Sequence, residues 1–167
     1  DLVQLMTVNN CVGIRFYIAV EDPRQRYADV IATAIRADGK EITKFLTRKY
    51  RLVKALDAHY PDEVKWMNRS TAKKCVDNLI NGTGKYDEYT TYLSKNTIEG
   101  LFNIPGCTGI KASGSVDPST GNRTMSFAPA KVYRNDVVDI PGTDYLKSRI
   151  PCPIDCGDEL YLWGREE

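Results

Sequence analysis

Residues 9–23 read NNCVGIRFYIAVEDP, and residues 105–118 read PGCTGIKASGSVDP. Each stretch has a Cys, one residue, Gly-Ile and a basic residue, and each runs on to Asp-Pro. With Cys11 set on Cys107, Gly13 falls on Gly109, Ile14 on Ile110 and Arg15 on Lys111. One deletion then brings Asp22-Pro23 onto Asp117-Pro118. The residues after Cys11, VGIRFYIAV, are β-branched and aromatic without proline, the pattern of a strand. Asp-Pro suits a tight turn, because proline pre-sets the first central position. The segments that follow, ADVIATAIRAD (28–38) and RTMSFAPAKVY (123–133), read as returning strands. Pro129 interrupts the second of these, which predicts an edge strand or a bulge there.

The agreement extends upstream. Leu2, Leu5, Met6 and Val8 fall on Ile98, Leu101, Phe102 and Ile104, an i, i+3, i+4 apolar spacing in both copies. That spacing predicts a short amphipathic helix before each strand. Ser94 is a good N-cap for the second helix, and Pro105-Gly106 a clear stop. Asn9-Asn10 takes the stop position in the first copy, since Asn tolerates the left-handed backbone that ends helices. The repeated unit is therefore helix, strand, turn, strand.

Residues 43–93 separate the copies. Phe45, Leu46, Leu52, Val53 and Leu56 lie among basic residues, and Pro61 breaks that run. Val64, Met67, Cys75, Val76, Leu79 and Ile80 can share one broad helical face, which Asn81-Gly82 ends. This middle portion reads as a helical insert, followed by the tyrosine-rich connector TGKYDEYTTYL. The tail, 139–167, is loop-like until a short strand, LYLW, at 160–163. The expected fold is α+β in a single domain of residues 1–167. Its parts are a first helix–hairpin unit (1–42), a helical insert (43–93), a second unit (94–138) and a cysteine-containing tail. The two units are expected to share one antiparallel or mixed sheet.

Composition narrows the function classes. A chain of 167 residues with 42% apolar and 27% charged residues suits a soluble globular domain. A net charge of +1 gives no global field toward nucleic acid or an anionic membrane. No apolar run approaches the ~20 residues of a membrane-spanning helix. Ten tyrosines against four phenylalanines suggest half-buried sheet faces or a contact surface.

The chemistry-bearing residues are few. Cys152 and Cys156 sit in PCPIDCG, three residues apart, which departs from the C-x-x-C form of redox motifs and zinc knuckles. Metal-ligand spacings of two to four occur, so Cys152 and Cys156 with Cys11 and Cys107 are candidate zinc ligands. A disulfide involving the tail is a second state open to these cysteines. Free thiols in a reducing, cytoplasmic setting are the third and favoured one, given five cysteines in a chain of this length. Cys75 falls on a helical face and reads as core. His59 is the sole histidine and reads as a helix-end residue. Lys44, Arg48, Lys49, Arg51 and Lys54 lie within eleven positions and read as a solvated helix face rather than a nucleic-acid surface. NGTGK at 81–85 is too short for a phosphate-binding loop. Gly13 and Gly109 lie within strands, where glycine marks a bulge or a close backbone approach.

The stretch SKNTIEGLFNIPGCTGIK (94–111) resembles a group of small proteins of Bacteroidota. These pair an S-K-x-x-I-x-x-L helix with G-C-x-G-I-R and a hairpin. Some carry a proline-flanked cysteine pair near the C-terminus, which PCPIDC resembles. That group has no assigned activity, so the resemblance implies no catalytic residues and no resident cofactor. It implies that the helix–hairpin is a recurring structural unit. A structural or protein-interaction module is expected, with a protein partner or self-association; cysteine-based zinc binding or thiol chemistry is the alternative.

Overall fold

The computed structural model describes residues 2–24, 29–42, 49–53, 64–82, 90–116, 123–133, 136–143, 146–147 and 151–152. The chain runs α1 (Leu2–Met6), β1 (Gly13–Ala19), β2 (Asp29–Ile35), β3 (Lys49–Val53), β4 (Val64–Asn68), α2 (Arg69–Gly82), β5 (Thr90–Ser94) and α3 (Lys95–Phe102). It continues through β6 (Gly109–Val116), β7 (Arg123–Tyr133), β8 (Asp136–Asp139), β9 (Leu146–Lys147) and β10 (Pro151–Cys152). Six strands form one sheet in the order β10-β5-β1-β2-β3-β4. The second sheet has the order β6-β7-β8, with β9 also paired to β7. Every described strand pair is antiparallel.

β1 lies inside the larger sheet and is buried along its whole length. Its side chains alternate between two cores, as strand geometry requires. Ile14, Phe16, Ile18 and Val20 join Val30, Ala32, Ala34 and Leu93 of the same sheet in one core, which also takes Met125 and Phe127 of β7. Leu5, Met6 and Ile98 of the two short helices enter that core as well. On the other face Tyr17, Ala19 and Ile31 pack on Ala72, Cys75 and Val76 of α2. Cover on both faces explains why β1 reads as a near-continuous apolar run, broken only by Arg15.

The two helix–hairpin stretches share their local geometry at a spacing of 96 residues. Thr7 N–H bonds the Val3 carbonyl at 3.0 Å, and Asn103 N–H the Glu99 carbonyl at 3.0 Å. Cys11 N–H bonds Val8 O at 3.0 Å, and Cys107 N–H bonds Ile104 O at 2.9 Å. Val12 N–H bonds Ile35 O, and Thr108 N–H bonds Ala130 O. Asn10 (φ 65°) and Gly106 (φ 85°) make the same left-handed turn between helix and strand. The Ser94 hydroxyl accepts from Thr97 N–H at 3.1 Å, so it caps α3 as its residue type predicts.

Three expectations are corrected. The two hairpins do not share a sheet: β1–β2 lies in the six-stranded sheet and β6–β7 in the four-stranded one. The insert is not helical throughout. Lys49–Val53 and Val64–Asn68 are strands, and the helix begins only at Arg69. KYRLV and VKWMN gain more by extending the sheet beside β2 than their weak helical spacing offers, a case of tertiary pairing overriding propensity. The connector's last residues, Thr90–Ser94, are likewise a strand, paired to β1. Pro129 lies on β7, which pairs with β6 on one side and with β8 and β9 on the other, but among the described residues none pairs with Pro129 itself on the β8 and β9 side. β9 pairs with residues 126–127 and β8 with 130–133. Ala130 turns its carbonyl toward the β6 side, where Thr108 N–H bonds it. By alternation the Pro129 nitrogen points the other way, into the gap between β9 and β8, where no ladder bond is lost.

Candidate functional site

The cysteines occupy distinct places. Cys11 is buried and Cys107 half-buried, and both are free thiols. Cys11 Sγ donates to the Gly13 carbonyl at 3.3 Å, and Cys107 Sγ to the Gly109 carbonyl at 3.1 Å. Each closes the bend that leads into its strand. Cys75 is buried in α2 against Tyr17, Ala19 and Ile31, as its place in the apolar pattern suggests. Cys152 ends β10 and pairs with Thr90, which pairs with Tyr17. That register sets Cys152 four residues along β1 from the level of Gly13, ~13 Å by strand rise. Cys11 lies beyond Gly13 in the opposite direction, so the sheet does not bring Cys11 and Cys152 together. Cys156, His59, Lys44, Arg48 and Lys54 lie outside the described residues. Lys49 and Arg51 stand on strand β3, not on a helix face. Among the described residues no group of three or more His, Cys, Asp or Glu side chains could hold a metal ion.

A polar cluster that the sequence reading missed sits on the α2 side of the large sheet. Arg15, Tyr17, Thr33 and Thr90 are all buried there. Glu41 joins them, with its side chain fully buried. The turn at 36–40 places it. Gly39 (φ 79°) folds the chain back, Arg36 N–H bonds Lys40 O at 2.9 Å, and Ile35 bridges Glu41. Arg15 Nη1 stands 3.9 Å from Glu41 Oε1, and Arg15 Nη2 donates to the Gly39 carbonyl at 3.3 Å. The Tyr17 hydroxyl donates to the same Glu41 carboxylate oxygen. Burial, with the Glu41 charge beside it, pushes the Tyr17 phenol well above its ordinary pKa, while Arg15 acts the other way. Tyr17 is thus held as a neutral donor. The one legible signal was Arg15, a cation on an otherwise apolar strand, which demands a counter-charge.

No family model, curated protein or solved structure matches the chain. What the cluster can do therefore follows from its geometry. Tyr17 bonds Glu41, and Arg15 pairs with the same carboxylate and bonds the Gly39 carbonyl, so the cluster ties the turn to β1.

The outer side of β1 carries a third arrangement. β5 runs antiparallel there, with Gly13 opposite Ser94 and Ile14 opposite Leu93. A Cβ on Gly13 would collide with the Tyr92 ring and the Leu93 carbonyl. Gly13 is therefore a close-approach glycine, as its position in a strand predicts. The Tyr92 hydroxyl bonds the Val12 carbonyl at 3.1 Å, and Lys95 N–H bonds the same oxygen at 2.8 Å. Burial raises the Tyr92 phenol pKa, with smaller contributions from Cys11, which raises it, and Arg15, which lowers it.

Proposed function

We propose that the protein is a structural or protein-interaction module, built on a duplicated helix–hairpin unit and serving as a subunit of a larger bacterial or phage assembly. The observation that carries this is the repeated local geometry at residues 3–13 and 99–109, bond for bond, around Cys11 and Cys107. A duplicated frame whose charge pairs brace strands and turns is a scaffold, and its work is done by its surface. Arg15–Glu41 braces a turn, and Lys111–Asp139 reaches over β7 at 2.9 Å from β6 to β8. Exposed Val3, Val12 and Val138 offer apolar contact points on that surface. The resemblance of residues 94–111 to small proteins of Bacteroidota points the same way.

Light scattering of the purified chain across a hundredfold concentration range tests the proposal. A mass that is a multiple of the chain, or a defined complex with a co-expressed neighbour, is the expected result. A monomer at every concentration, with no neighbour retained, removes it.

A further inference from the structure

We draw no further inference here: the strongest candidate, the half-buried apolar surface patch of Phe102, Cys107 and Ile110 at the α3–β6 junction, whose counterparts Met6, Cys11 and Ile14 are buried in the first unit, carries nothing because nothing in the structure shows what covers it.

Discussion

Glu41 has a fully buried side chain, and its carboxylate meets a guanidinium and a phenol. Removing one member of a buried pair costs more than the pair contributes, because the other charge stays behind without compensation. Glu41→Ala is therefore expected to destabilise by about 3–5 kcal/mol in urea denaturation. Glu41→Gln keeps an acceptor for Tyr17 and is expected to lose less. Tyr17 also sets an alkaline limit. The fold favours its neutral form and raises its pKa, while an unfolded tyrosine titrates near ~10. Folded chains then hold a proton that unfolded chains release, so stability is unaffected below about pH 10 and falls as pH rises beyond it. Tyr92 shifts in the same direction and adds to the slope. Tyr17→Phe should flatten that alkaline fall, which a midpoint-against-pH series would show; an unchanged slope would point to other groups.

Elements fixed by neighbouring residues were legible, and those fixed by distant partners were not. Both hairpins, both short helices and the Ser94 cap follow from periodicity and turn chemistry within each unit. β5 hid in a tyrosine-rich connector because it pairs with β1, some eighty residues away. β3 and β4 hid because basic and apolar residues in short runs fit either period until a sheet edge is present. Glu41 was passed over because its meaning depends on the 36–40 turn folding it over Arg15. The cap allows a test at this scale. Ser94 is also the last residue of β5, opposite Gly13, so its hydroxyl starts α3 where the strand ends. Ser94→Ala removes the bond to Thr97 N–H and is expected to cost about 1 kcal/mol, while Ser94→Asp should retain most of the stability. Equal loss in both variants would assign the effect to the strand position instead of the cap.

The molecule as a whole depends on how its two sheets meet. The likeness of the two helix–hairpin stretches suggests a shared sheet, but likeness in sequence does not say whether they sit edge to edge or face to face. Face-to-face packing is what their apolar faces require: Ile14, Phe16 and Ile18 on one side, Met125 and Phe127 on the other, each needing cover. Phe16 and Phe127 mark the junction, with ring centroids 4.7 Å apart and planes tilted by 46°. Phe127 is fully buried, so Phe127→Ala is expected to cost about 3–5 kcal/mol, and Phe16→Ala a similar amount. Because each ring is part of the other's surroundings, the second truncation should cost less than it does alone. The double variant should fall short of the sum by about 0.5–1.5 kcal/mol, the worth of a tilted aromatic pair. Unfolding should remain one cooperative transition in all three variants, since neither sheet keeps a complete core without the other. Strict additivity, or two separable transitions in urea, would mean that the sheets are stable apart and that the shared core between them is not what holds the chain together.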